Sequence, residues 1–456
     1  MSNDNELAAG SIGIWESITM GVAGAAPAFS VAATTTTIVG AVGVLAPASI
    51  LYCGIIMLGI TLAFMHLNKI SANSGASYAW VSAIFGPNLG FFAGWSLLVS
   101  TAVFMVSGSI PAATATLLIA APHLVNSIGW VTLVAGMWLT IMAAIVLKGI
   151  KHASIVQFIM TVFEVLILLA INVGGIIYFF HHPAHHFSLS WFSLYQFTPT
   201  TFSVGALTAL FLYWGWDVTL NLNEETKNAT HSPGRGALWS MPIIILLFVT
   251  FALCALIVLS DSEIKQSGTN IIFIIAEKIF PKPWSYLAII AVLLSTIGTL
   301  ETNILQFTRT LFSKGRDNVL SSRYAKVHST SKTPIRATIL IWALGIIFLF
   351  LSSYIPTINH IIQISVNAIG FQVAFYYSLT GLACAWYFRK MWKGFFELFI
   401  YIIWPVFSSL FLIFIALYSV KTFDMVTNII GLGGIAIGAV PLYLSHKRRA
   451  ASKKVI

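Results

Sequence analysis

Apolar runs of ~20 residues recur from one end of the chain to the other, and a run of that length makes one helical crossing of a bilayer core about 30 Å thick. Twelve can be delimited: Ile12–Gly43, Ala46–Leu67, Gly90–Ala121, Ile128–Val146, Ala153–Phe180, Thr200–Asn223, Ala237–Leu259, Trp284–Leu311, Ile335–Leu351, Ile358–Tyr387, Phe395–Val420 and Phe423–Leu444. No hydrophilic stretch between them is long enough for a separate soluble domain, so residues 1–456 are expected to form a single transmembrane unit. Composition closes off other classes. The chain is 58% hydrophobic and 8% charged, whereas soluble domains run at roughly 45–50% apolar and about 25% charged. It therefore cannot clothe a globule in polar surface, and it is too hydrophobic for intrinsic disorder. Cys53, Cys254 and Cys384 all lie inside apolar runs, where they read as small core residues rather than a disulfide frame or a metal site.

An even number of crossings puts both termini on one side, and the basic residues say which. Of the 24 lysines and arginines, all but Lys265, Lys278, Lys282 and Lys421 fall on the side of the termini. Both termini, the basic loop after the eighth run and the tail 445–456 are therefore expected in the cytoplasm, under a plasma membrane. The net charge of +10 is accounted for by this asymmetry and calls for no nucleic-acid partner. Residues 1–11 carry Asp4 and Glu6 and no basic region, so no cleaved leader is expected and the first run should remain as a span.

Two runs carry helix-breaking sequence deep inside them. The first reads Met20-Gly21-Val22-Ala23-Gly24-Ala25-Ala26-Pro27-Ala28-Phe29, where Pro27 lacks an N–H and clashes with the preceding turn, and the glycines weaken the helix. The sixth reads Phe211-Leu212-Tyr213-Trp214-Gly215-Trp216-Asp217. One such break alone is also what a proline kink or a packing glycine gives. Two of them five helices apart are the mark of an inverted repeat whose unwound segments meet a ligand at mid-membrane.

Four motifs, in order, resemble the amino acid-polyamine-organocation superfamily of secondary transporters. They are Ser74-Gly75-Ala76-Ser77-Tyr78-Ala79-Trp80 with the following Phe85-Gly86-Pro87, Gly149-Ile150-Lys151, Gly215-Trp216-Asp217 with Glu224-Glu225-Thr226-Lys227-Asn228, and Arg309 with Lys314-Gly315-Arg316-Asp317. The resemblance implies an all-α membrane protein of twelve helices, with a five-plus-five inverted repeat of the leucine-transporter type over residues 12–390. Helices one and six would be discontinuous, helices eleven and twelve peripheral (395–444), and transport would proceed by alternating access. It implies a substrate site at the two breaks: Gly24, Ala25, Ala26 and Pro27 on one side, and Phe211, Tyr213, Trp214, Gly215, Trp216 and Asp217 on the other. Two departures stand out. Where many members have a Gly-x-Gly break whose N–H groups hold a carboxylate, this chain has Ala25-Ala26-Pro27. Where many carry a lysine on helix five, it has Glu164.

Glu164, Asp217 and Glu301 are the acids that fall well inside runs. A charge at the bilayer centre costs at least ~2.5–3.5 kcal/mol, so such groups are interior, protonated or functional. All three are candidates for proton coupling, and each could instead be a protonated acid bonded to a neighbouring helix. Asp217 is also placed to meet a substrate ammonium, with Phe211 as a gate and Trp216 as a cation-π wall. Glu301 stands about 12 Å of helix rise from Arg309, too far for a simple ion pair. Glu224 and Glu225 read either as a cytoplasmic gate or as solvated surface. His181, His182, His185 and His186 read as a solvated loop rather than a zinc site. No cofactor or metal is implied, and an intramembrane enzyme would need a constellation such as His-Glu-x-x-His, which is not present. The sequence is thus read as a proton-coupled amino acid permease, with lipid, protons and a small amino acid or amine as its partners. The alternative is an amine or polyamine carrier, or an amino acid/amine exchanger, of the same fold.

Overall fold

A computed structural model describes residues 6–355 and 357–453, and the side chains of 199, 200, 203, 204, 207, 359 and 448–453 fall outside that description. The end of the basic tail, including Lys454, lies outside the described residues. Among the described residues twenty α-helices follow one another: α1 (Ile14–Gly24), α2 (Pro27–Val42), α3 (Ala46–Ile70), α4 (Ser77–Phe85), α5 (Pro87–Ala120), α6 (Ile128–Leu147), α7 (Ile150–Phe179), α8 (Pro199–Leu212), α9 (Val218–Asn221), α10 (Ser232–Val258), α11 (Asp261–Ser267), α12 (Ile271–Ile279), α13 (Leu287–Arg316), α14 (Ile335–Ser352), α15 (Ile358–Phe388), α16 (Phe395–Leu398), α17 (Trp404–Thr422), α18 (Met425–Asn428), α19 (Gly434–Ala436) and α20 (Ala439–Lys453). Among the described residues the sole β-pairing is one isolated parallel bridge, Ile12 with Thr226.

Ten helical stretches in the described residues are long and apolar enough to cross a membrane. The figure is lower than the twelve apolar runs for two reasons. Residues Ile14–Ile70 count as one stretch although they hold α1, α2 and α3. The sixth run is split into the 14-residue α8 and the four-residue α9, each too short to qualify.

Helices gain little hydrophobic driving force from leaving lipid for one another, so packing, small residues and hydrogen bonds must hold them together. The most buried candidates show this. In α5 and α15 78% of the most apolar window is buried, and in α13 72%. α13 packs against α5 and α7, and α15 against α5 and α3. The last two candidates bury only 28% and 17%, leaving residues such as Phe407, Leu417, Val440 and Tyr443 on the outside. Pro27 occupies the first turn of α2, where a missing N–H costs nothing and its fixed φ suits a helix start. It begins a helix rather than kinking one. Cys53, Cys254 and Cys384 are buried free thiols.

Candidate substrate and coupling site

The two sequence breaks are breaks in the structure, and they touch. α1 stops at Gly24, and Ala26 takes a left-handed conformation (φ +48°) before Pro27 opens α2. α8 stops at Leu212, and Gly215 (φ +102°) turns the chain toward α9. A Cβ on Gly24 would overlap the carbonyl of Gly215, and a Cβ on Gly215 would overlap the carbonyl of Gly24. The backbones approach this closely only because neither residue carries a side chain.

The backbone donors lie one turn further on than the sequence suggested. The N–H groups of Ala25 and Ala26 are bonded within the end of α1, to Val22 O (3.1 Å) and Ala23 O (3.0 Å). The first donors that α2 leaves over are Ala28 and Phe29. Ala28 N–H donates to Glu164 Oε1 at 2.9 Å, and Phe29 N–H donates to Ser295 Oγ at 3.1 Å. Glu164, on α7, thus caps a half-helix with a carboxyl oxygen, the kind of group a helix N-terminus favours. The Thr299 hydroxyl of α13 closes the other side of the break by donating to Ala23 O at 2.7 Å.

Asp217 is fully buried and held by neutral donors alone. Gln306 Nε2 (2.8 Å) and Tyr376 OH (2.9 Å) donate to its Oδ2, and Tyr377 OH (2.9 Å) donates to its Oδ1. Trp214 Nε1 donates to Tyr376 OH at 2.9 Å, so Trp214 supports this carboxyl through Tyr376. Trp216 packs instead against Phe64 and Tyr377, with centroids 5.2 and 5.5 Å away. Tyr213 OH donates to Ile50 O at 2.8 Å. Glu301 is fully buried, and its Oε1 has no partner among the described residues. Beside it on α7 stands Gln157, whose amide, oriented to satisfy its neighbours, donates to Glu301 Oε2 (3.2 Å) and Gly298 O (3.0 Å).

A cavity of about 500 Å³ opens on the face opposite the N-terminus, lined by the ends of α5 and α13, residues 266–273 and Phe29. Phe29 meets Phe211 edge-on at 6.4 Å. Phe29 therefore floors the cavity, with Phe211 packed behind it. Asp217, Trp216 and Glu301 do not border this cavity.

The face carrying the N-terminus is closed by three of the four motifs, those at Ser74–Trp80, Gly215–Asn228 and Arg309–Asp317. Arg309 donates through Nε and Nη2 to both oxygens of Glu225, each at 2.8 Å, with both side chains fully buried. Arg316 pairs with Glu224 at 2.8 Å, and Glu224 also accepts from Ser74 N–H at 2.8 Å. Asn221 donates to Ser74 O. Ile12 N–H donates to Glu225 O and Lys227 N–H to Ile12 O, tying the N-terminal segment to the same loop. Lys314 is buried with its ammonium on Phe91 O (2.7 Å), 4.6 and 4.1 Å from the Tyr78 and Phe91 ring centroids. Arg309, Lys314 and Glu225 are thus interior charges rather than loop or surface ones. The sequence reading missed these pairings and the partners Ser295, Gln157, Gln306, Tyr376 and Tyr377. The signal available was the density of Ser, Thr, Asn and Gln along an otherwise apolar α13.

Residues 12–440 match the amino acid permease family. The chain belongs to that family. A serine/threonine exchanger of Bacillus subtilis is 24% identical over 88% of this chain and 88% of its own length. The human large neutral amino acids transporter small subunit 2 is 23% identical over 86% and 72%. A branched-chain amino acid permease of Lactococcus lactis is 23% identical over 65% of each. These are transporters, so the protein is a multi-pass membrane permease and not an enzyme.

Proposed function

We propose that this permease moves an amino acid across the plasma membrane by alternating access, coupled to protons. It would do so with twelve crossings, a five-plus-five repeat and both termini in the cytoplasm. The observation that carries the reading is the contact between two mid-membrane helix breaks, Gly24–Pro27 and Tyr213–Trp216, in a chain whose family is defined by amino acid permeation. Under this topology the cavity over Phe29 faces outward, while the Arg309–Glu225 and Arg316–Glu224 pairs close the cytoplasmic side. The protein would thus be described in an outward-facing state. Glu164, joining α7 to the first residues of α2, is the coupling group best placed to sense the break. The gap residues Gly24 to Pro27 and Phe211 to Asp217 surround the path between the two faces.

Exchange is the second reading, favoured by the exchanger among the relatives. Purified protein in liposomes distinguishes the two. With an acidic exterior and an empty lumen, labelled serine, leucine or lysine should accumulate against its gradient. Uptake seen only with amino acid inside the vesicles would select exchange. Failure of every amino acid and amine to enter under either condition would overturn the reading.

A further inference from the structure

The N-terminal end of α2 already holds a carboxyl group, and that group belongs to the protein. Pro27 has no N–H, and those of Ala25 and Ala26 are bonded inside α1. Ala28 donates to Glu164, and Phe29 to Ser295. A carboxylate arriving at the break thus finds every backbone donor from Ala25 to Phe29 engaged. It can reach one only by displacing Glu164 or Ser295. Phe29 is both the second of these donor residues and the floor of the ~500 Å³ cavity, so the donors sit one side chain below the space a ligand enters.

We propose that the carboxylate of Glu164 and the carboxylate of a transported amino acid compete for the Ala28 N–H group, so that the amino acid binds when Glu164 takes up a proton. The inference rests on the amino acid reading above and says how proton and substrate are linked. Two carboxylates cannot share one helix end of about half a unit charge without strong repulsion. A proton taken up from solvent by a Glu164 oxygen removes that repulsion. It also lets the carboxyl turn away, and its new O–H can donate to Ser295 Oγ, which already accepts the neighbouring Phe29 N–H. The substrate carboxylate then accepts the vacated Ala28 N–H, and departure of the substrate lets Glu164 return and release its proton.

The other acids at this depth are Asp217, on the facing break and held by Gln306, Tyr376 and Tyr377, and Glu301. α2 and α6 carry no acidic or basic residue. α1 has only Glu16 and α10 only Arg235, each in its first turn. α12 has Glu277 and Lys278 at its end, and on α7 itself Lys151 and His152 are in the first turn and Tyr178 at the far end. α13 contributes Glu301, six residues beyond Ser295, and then Arg309, Lys314 and Arg316 further on.

Competition of this kind has a measurable signature. With one proton taken up per amino acid bound, the apparent Kd rises tenfold per pH unit above the pH at which Glu164 titrates, and is flat below it. An amine of the same side chain has no carboxylate to place, leaves Glu164 where it is and shows no slope. The test is binding to the purified full-length protein from pH 5.5 to 8.5, using leucine with isoamylamine, serine with ethanolamine and lysine with cadaverine. The expected result is a tenfold-per-unit slope for the amino acid of a pair, none for its amine, and loss of the slope in Glu164→Gln at the tight, low-pH affinity. Glu164→Asp, which keeps a carboxyl, should retain a slope. Equal slopes within a pair overturn the inference, as does a slope that survives in Glu164→Gln, while amino acid transport stands. The wild-type pairs decide the matter even if Glu164→Gln does not fold. Binding of no amino acid at any pH overturns both the inference and the function it rests on.

Discussion

Three acids lie in the middle of the membrane-spanning helices, and each meets the cost of burial differently. Glu164 takes a backbone N–H from a half-helix, Asp217 takes three neutral donors, and Glu301 leaves one oxygen without a partner. The differences predict different mutants. Removing an acceptor from a buried network strands its donors at ~1–3 kcal/mol. Asp217→Ala leaves the two tyrosines without their acceptor and Gln306 with Asn221 Oδ1 only, so it should lower the melting temperature of detergent-solubilised protein by several degrees. An unchanged melt would mean that the Asp217 network contributes little to stability. Glu301→Gln should stay within about 1 kcal/mol of wild type, because an amide needs no charge compensation where Glu301 has none. If Glu301 takes part in coupling, the same variant will lose pH-driven accumulation while still binding substrate. Normal accumulation by Glu301→Gln removes it from the mechanism. The sequence marked all three acids by depth alone. It could not tell them apart, because their partners come from α2, α7, α13 and α15, up to 160 residues away in the chain.

At the scale of elements, the breaks were legible and their consequences only half so. Gly24, Pro27 and Gly215 announce where helices stop. They do not announce that Pro27 is a helix start, that Ala26 accepts a left-handed turn, or that α2's free donors begin at Ala28. Those features follow from where α1's last hydrogen bonds fall, a matter of one residue that periodicity does not resolve. Gly215→Ala should be among the most damaging single changes, since it combines a positive φ with overlap on the Gly24 carbonyl. Strain of ~1–3 kcal/mol plus loss of the close approach should abolish uptake, and full activity would show that the breaks can separate freely. The segment opposite the N-terminal face offers a milder test. A hydrogen bond from Lys278 (2.6 Å) holds the carboxyl of Glu263, in the first turn of α11, down at about 2. A depressed carboxyl stabilises the fold above its unfolded value near 4.3 and loses that contribution as pH falls toward 2. Glu263 is more than a third exposed, so Glu263→Gln should cost no more than ~1 kcal/mol. The cost should be constant from pH 8 to 5 and shrink below pH 4 in thermal melts. A cost that changes between pH 8 and 5 would point to a different partner.

For the whole molecule the decisive question is what holds the N-terminal face shut, because the alternating access proposed above requires it to open. Two ion pairs tie α13 to residues 224–225, but they are not equivalent. Arg316–Glu224 is partly exposed, and such pairs contribute about 0–1 kcal/mol. Arg309–Glu225 is fully buried, and removing one partner leaves a stranded charge at ~3–5 kcal/mol. Carrying a two-state equilibrium from 1:99 to 99:1 takes about 5.5 kcal/mol. Loss of Arg316 should therefore shift the populations no more than roughly fivefold, whereas Glu225→Gln should go most of the way to an open face. Asn221, buried between Ser74 and Gln306, is a reporter of that opening, and the three native cysteines are buried and give little background. With a cysteine at position 221, a membrane-impermeant maleimide applied from the side of the N-terminus should react slowly in the otherwise wild-type protein. It should react at most a few times faster with Arg316→Gln added, and one to two orders of magnitude faster with Glu225→Gln added. Replacing the buried pair by apolar residues, Arg309→Met with Glu225→Leu, strands no charge and should keep the face closed and the labelling slow. If Arg316→Gln accelerates labelling as much as Glu225→Gln does, the exposed pair carries the closure and the buried one is only packing.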